Sequence, residues 1–509
     1  MMKYVLDSLI LDLGAPESSL KPAIAKRLGL AEKSFRYDVL DRDLIISGTK
    51  RCVEYKVSIE TVDFIRDTSI HFLADVASFE IPAYRHKDRP VVVGAGLAGL
   101  YATYVLALAG ANPILLEQGK DYAKRTRDFE AFQTRGILDG LGNGRFGLGG
   151  FLGASGCRIS KDSDDIVVRW FLSTLQSFGI PLGKDHNLFL SAKTIGALSM
   201  ALVKAIKAKG GEVIFEAVFL GQRSFLGKIK EARYRKGNRE FGIPTSHLLL
   251  CAGESNPQLM RLCGKSDAAP YLSSIGFMLE KPGSELSRGV YGVPFPDAKF
   301  PTSFRVLDAN PSSDIKGEIS YFYPSTSPIF MGIKPEHMDL GLSILSPGAS
   351  SGITMVSLRF KNGVAAMREC NNLAAAGYKQ SLPYACPIET LKDYLLGKEP
   401  LRLGVIKPSY GKGVYLADLN KIYGGKIGAA LKKTLEALCK KEPNFADGRS
   451  LLLGPCLTLG NGEIYDTEEK GKTNVRGLFF AAPESNWDYS LNRTAIGGIA
   501  AALTLIRTK

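Results

Sequence analysis

The chain has 509 residues, of which 45% are hydrophobic and 23% charged, with a formal net charge of +14. Ordinary globular composition at this length excludes a fibre or a disordered tail protein and predicts about three domains. No apolar run reaches the roughly 18 residues that cross a bilayer, so no membrane span is expected. Asp7 and Asp12 interrupt the first apolar stretch, so the start does not read as a signal peptide and a soluble, cytoplasmic protein is expected.

Residues 1–89 hold 14 basic and 14 acidic side chains, so the whole positive excess lies beyond them. A basic nucleic-acid arm at the N-terminus is therefore not expected, while an anion- or RNA-binding surface further on stays open. The eight cysteines are scattered without a CxxC pair, and no two of the five histidines stand at i,i+4. That pattern predicts neither a disulfide framework nor a metal centre.

In chain order, residues 1–85 read as a small α+β domain. Lys3–Leu13 is strand-like, the stretch after Ser18 and Ser19 is helical with Leu20, Ile24 and Leu28 on one face, and Asp43–Ile46 and Val53–Ile59 are strands. The polar connector His86–Pro90 leads into Gly-punctuated β–α–β sequence, the first part of a dinucleotide-binding domain at 86–268. Residues 269–450 lack clear βαβ units and read as an inserted α+β substrate domain. Tyr321–Pro324 looks like a sheet face of that domain, and Lys421–Lys441 a basic amphipathic helix near its end. Residues 451–509 return to the Gly-rich pattern and complete the dinucleotide domain.

The chemistry is carried by Pro90–Gly94, a short β-branched run fit for a buried parallel strand, which enters Gly94-Ala95-Gly96-Leu97-Ala98-Gly99. Gly94 permits the tight turn, Gly96 lets the backbone approach a pyrophosphate, and Gly99 lets helix and strand pack closely. A helix-like run follows, offering free N–H groups to phosphate, then a second strand ending in Glu117, placed to accept ribose hydroxyls. Gly142–Gly147 also spells GxGxxG but lacks a strand before it and a helix after it, so it is rejected as a second dinucleotide site.

The motif, Glu117-Gln118-Gly119, Arg125, the block Phe146–Gly150, Thr194–Leu198, Leu248–Gly253 and Gly477–Ile499 together resemble flavoproteins of the glutathione-reductase-like, two-dinucleotide-binding-domain superfamily. The resemblance covers most of the chain and is closest to FAD-dependent dehydrogenases with an N-terminal ferredoxin-like domain. It implies a Rossmann-like FAD-binding domain with the inserted α+β domain over the flavin, and FAD as cofactor. It implies that Gly94, Gly96, Leu97, Ala98 and Gly99 line the pyrophosphate, with Glu117, Gln118 and Arg125 at the adenosine end. Phe146, Gly147, Gly149 and Gly150 would pass the isoalloxazine, Val218 would present its backbone to adenine, and Ala252 and Gly253 would lie under the cofactor. Glu484, Ile496 and Gly497 would belong to the closing strand–helix unit, whose helix N-terminus faces the flavin pyrimidine.

The chain departs from the family at Gly156-Cys157 and at Pro483–Arg493, over the ring, so a substrate does not carry over. Cys157 is a reacting thiol or a small buried apolar residue. Trp487 and Tyr489 stack on a ligand or pack in the fold, and Arg493 draws an anion or stands in solvent. Cys157, Tyr489 and Arg493 are the catalytic candidates. The expectation is an FAD-dependent oxidoreductase acting on a small molecule, with at most transient NAD(P)H. The alternatives are an RNA-modifying flavoprotein and a non-catalytic FAD-binding protein.

Overall fold

A computed structural model of the chain describes residues 1–47, 50–141, 157–160, 163–182, 187–190, 192–251, 271–282, 285, 303–312, 315–322, 327–330, 334–343, 350–404, 406–441, 443–462, 475–481 and 491–508. Three sheets carry the domains.

The N-terminal sheet takes the order Phe35–Ser47, Lys50–Thr61, Met2–Asp12, Ile70–Phe72, with every neighbour antiparallel. Helix Leu20–Leu28 covers one face, burying Leu20 and Ile24 against Leu6, Val57 and Ile59. A ferredoxin-like β-α-β-β-α-β unit needs a second helix before its last strand. Residues 62–69 contain none, so the unit has one helix where the resemblance implied two.

The dinucleotide sheet is five parallel strands in the order Leu478–Phe480, Leu248–Leu250, Val91–Val93, Ile114–Glu117, Glu212–Phe215. Numbered by sequence these run 5-4-1-2-3, the strand order of dinucleotide-binding sheets. Both faces are apolar because both are covered. Val92, Leu115, Leu249 and Phe479 point into a layer of helices formed by Leu97–Leu108, Ile166–Ser177, Ala192–Ala208 and Leu491–Arg507. The alternate residues Val91, Val93, Leu116, Leu250 and Phe480 meet Phe219, Ile229, Ala232 and Tyr234 of a three-stranded antiparallel meander, Ala217–Phe225, Lys228–Lys236 and Arg239–Pro244.

The inserted domain is a seven-stranded sheet in the order Ser303–Ser312, Ile315–Phe322, Ser350–Phe360, Tyr271–Lys281, Leu451–Gly462, Cys386–Thr390, Val414–Leu416, antiparallel except for its last pair. Helices Gly363–Ala376 and Gly425–Lys441 pack on one face through Leu373, Leu431 and Leu435, against Phe277 and Leu452. Leu451–Gly462 was expected in the dinucleotide domain. It instead fills the middle of the inserted sheet, between Tyr271–Lys281 and Cys386–Thr390, so the return to the parallel sheet comes with Leu478–Phe480. A Gly-containing strand reads alike in either sheet; the long-range pairing decides. Tyr321 and Phe322 do lie in a strand of the inserted sheet, while 323 and 324 fall outside the described residues.

Candidate functional site: a phosphate cradle at the sheet's switch point

The chain order of the parallel sheet reverses between Val91–Val93 and Leu248–Leu250, and ligands of such sheets bind at the carboxyl ends of the strands flanking that point. Gly94 and Cys251 stand there, joined by the Cys251 N–H donating to the Val93 carbonyl at 2.8 Å. Gly94 turns the chain at φ 98°, a conformation that L side chains rarely adopt. Gly99 packs so closely that a Cβ on it would stand 1.8 Å from the Gly94 carbonyl oxygen.

Gly96 is different. It caps helix Leu97–Leu108 with extended backbone, and a Cβ on it would meet nothing within 4 Å among the described residues. Space is left beside the backbone at a helix N-terminus whose first turn carries no acidic side chain. The N–H groups of that turn have no intrahelical acceptor and sit at the positive end of the helix dipole. Leu97, Ala98 and Gly99 are buried behind it. A cradle of this shape and polarity fits a pyrophosphate.

Glu117, 2% exposed, ends the second strand and faces this loop. Its Oε2 accepts the Ala95 N–H at 2.7 Å and its Oε1 accepts the Gly119 N–H at 2.6 Å. Arg125, fully buried in the first turn of Tyr122–Arg135, places Nη2 3.4 Å from Oε1 and donates from Nε to the Lys120 carbonyl at 2.8 Å. Burial lowers the Arg125 pKa, opposed by the Glu117 carboxylate. Glu117 therefore staples the glycine loop to the turn after its own strand, a task the sequence reading did not foresee. Gly119 is needed there because a Cβ would stand 1.9 Å from Arg125 Nη2. Gln118 is half-buried beside it. Val218, half-buried, opens the meander next to this end, where the Glu216 N–H donates to the Gly119 carbonyl at 3.0 Å.

The C-terminal helix Leu491–Arg507 lies against Leu97–Leu108 and against strand Cys157–Ser160. Segments remote in sequence, the helix that begins at Leu491 and the strand that begins at Cys157, are thus brought into contact. Ile496 packs against the helical core and Gly497 is half-buried. Phe146, Gly147, Gly149, Gly150, Ala252, Gly253, Glu484, Trp487, Tyr489 and the rejected Gly142–Gly147 match lie outside the described residues, as do the side chains of Cys157 and Arg493.

Two connections were missed from sequence. Phe132, near the end of Tyr122–Arg135, packs its ring on Phe330 at 5.1 Å and Tyr384 at 5.2 Å of the inserted domain. Lys412 of that domain donates to the Phe132 carbonyl at 2.9 Å and stands 4.1 Å from its ring centroid. One helix therefore carries Arg125 at the glycine loop and Phe132 at the inserted domain. The other connection gathers Asp7, His71 and Asp164 where the N-terminal sheet meets the dinucleotide domain. The Lys56 ammonium sits 2.9 Å from both carboxylates and supplies the cation, so this is an ion-pair junction between domains.

A family model described as "FAD-dependent protein, C-terminal domain-like" matches residues 353–456, inside the inserted domain. An uncharacterised protein of Clostridium beijerinckii is 23% identical, covering 99% of each chain. Among solved structures, a geranylgeranyl bacteriochlorophyll reductase-like protein from Thermoplasma acidophilum shares 12% identity with TM-score 0.32, over 83% of this chain and 76% of that one. The L-amino acid deaminase from Proteus vulgaris shares 12% with TM-score 0.31, over 84% and 95%. A flavoprotein/dehydrogenase from Cytophaga hutchinsonii shares 11% with TM-score 0.31, over 83% and 78%. The matched domain and the open cradle at Gly96 agree on FAD as the cofactor.

Proposed function

We propose that the protein is an FAD-dependent oxidoreductase of the dehydrogenase kind, acting on a small molecule held between the dinucleotide and inserted domains. The observation that supports this reading most is the Gly96 cradle at the sheet's switch point, on a domain joined to the inserted sheet through Phe132 and Lys412. Bound flavin supplies the capacity to accept a hydride or single electrons. The chain's own part is placement and charge. The amides of Leu97 to Gly99 would hold the pyrophosphate, and Glu117 keeps that loop in shape while its remaining lone pairs would meet the ribose. Arg125 holds the carboxylate in place. The N-terminus of Leu491–Arg507 would offer its dipole to the flavin ring.

Phe146–Gly150, Ala252, Gly253 and Glu484 complete the cofactor contacts in this reading, and Cys157, Tyr489 and Arg493 face the substrate. The test is a visible spectrum of the purified protein, followed by anaerobic mixing with a panel of amino acids, hydroxy acids, polyprenyl compounds and NAD(P)H. A flavin spectrum bleached by one class supports the reading. Protein that stays colourless after FAD addition, or flavin that no member reduces, overturns it.

A further inference from the structure

The three-stranded meander carries a surface that neither the fold nor the flavin site explains. Its first two strands close through a two-residue turn, Phe225 pairing with Lys228 across Leu226 and Gly227. Both turn residues have positive φ, 50° at Leu226 and 72° at Gly227. Such turns favour Asn or Asp at the first position, because leucine strains there. Leu226 gains no packing in return: it is 84% exposed, and Phe225 beside it is 64% exposed. Local folding and core packing both disfavour Leu226, so its side chain is placed for something outside the chain.

The surroundings say what. Between Arg223 and Glu240 the meander holds seven lysines and arginines against two glutamates. The glutamates are partnered, Glu231 with Arg223 and Glu240 with Arg233. Lys228 and Lys230, on the strand leaving the turn, are exposed and have no carboxylate at ion-pair distance among the described residues, whereas Arg235, Lys236 and Arg239 lie at the far end of the meander, where Arg235 pairs with Val218, and are not part of this surface. Exposed Arg476 joins Lys228 and Lys230, its backbone bridged to Lys228. Arg476 lies two residues before Leu478, at the amino end of the Leu478–Phe480 strand, so the turn with Lys228 and Arg476 lies at the opposite end of the sheet from Gly94 and leaves the cradle uncovered.

We propose that this face docks on an anionic membrane, with Phe225 and Leu226 entering the headgroup boundary and the basic residues lying over the lipid phosphates. An apolar tip of two side chains is too small to anchor a protein–protein interface of ordinary size. It suits a bilayer, where buried apolar area and attraction to anionic lipid act together. The inference does not depend on the substrate of the flavin site.

The experiment is flotation of the full chain, FAD added, with vesicles of phosphatidylcholine alone and of phosphatidylcholine with phosphatidylglycerol. The expected result is binding to the anionic vesicles, weakened by salt, with little binding to the neutral ones. Phe225→Ser with Leu226→Asn should weaken it by about tenfold or more, as loss of one buried leucine-sized group implies. Asn suits the turn, so thermal stability and flavin content should hold, which separates lost docking from lost folding. Lys228→Glu with Lys230→Glu should weaken binding to anionic vesicles alone. Undiminished flotation of the Phe225/Leu226 variant overturns the proposal. So does failure of the wild type to float, or preferential binding of tRNA that displaces the vesicles.

Discussion

Gly498 lies against the Ala98 carbonyl so closely that a Cβ built on it would stand 2.1 Å from that oxygen. The last helix of the chain and the helix that begins at the glycine loop therefore cross at backbone contact. Residues 400 positions apart form one wall of the cofactor domain. Gly498→Ala should force the helices apart, at a cost of about 3 kcal/mol as an overpacked core position. Thermal and denaturant midpoints should fall and FAD should be held less tightly, because Ala98 lies in the first turn of the helix that Gly96 caps. An unchanged midpoint would refute the crossing.

Gly96→Val tests the cradle in the opposite way. The position is open and its φ of −65° suits any residue, so the apo protein should keep its stability. FAD affinity should drop about ten- to hundredfold, from the side chain intruding on the phosphate path. Titration of apo protein with FAD, beside a melting curve, separates the two quantities.

Glu117→Ala should do both kinds of damage. It removes the acceptor of two backbone N–H groups and the carboxylate beside a fully buried guanidinium. Breaking such a buried pair costs about 3–5 kcal/mol. Apo stability and FAD affinity should fall together. A variant that loses FAD affinity alone would mean that Glu117 serves only the ribose.

Glu389 predicts a pH dependence in the inserted domain. It is fully buried, its Oε1 accepts the Leu419 N–H at 3.3 Å, and its Oε2 has no hydrogen-bond partner. Burial, with the Asp418 charge added, pushes its pKa from 4.5 up to about 8. Between those values the folded chain binds more protons than the unfolded one, so stability falls as pH rises from about 4.5 to 8. Glu389→Gln should remove that slope, raising stability at pH 8 by on the order of 3 kcal/mol and changing it little near pH 4.5. Equal pH slopes in wild type and variant, followed by thermal melts, would count against it.

Much of the cofactor domain was legible in the residues. The buried runs Val91–Val93 and Leu248–Leu250, the glycine spacing at 94, 96 and 99, and the acid at 117 are local patterns with local causes. A run buried on both faces must be apolar throughout, and a turn with positive φ selects glycine. Gly498 also left a mark, since glycine inside a buried helix signals close backbone approach, yet nothing near it in sequence names Ala98 as its partner.

Tertiary structure decided which strands share a sheet, what Glu117 holds, and how the domains join. Leu451–Gly462 reads as a strand whichever sheet takes it, and only pairing with Tyr271–Lys281 and Cys386–Thr390 assigns it to the inserted domain. Glu117 ends its strand beside the glycine loop. Its engagement by Ala95, Gly119 and Arg125 depends on how the chain folds back beside it. Phe132 and Lys412 are ordinary residues in sequence, 280 positions apart, and become a domain junction only in space. Periodicity and turn chemistry are set by neighbours along the chain, whereas register, partner and burial are set by residues brought together from a distance.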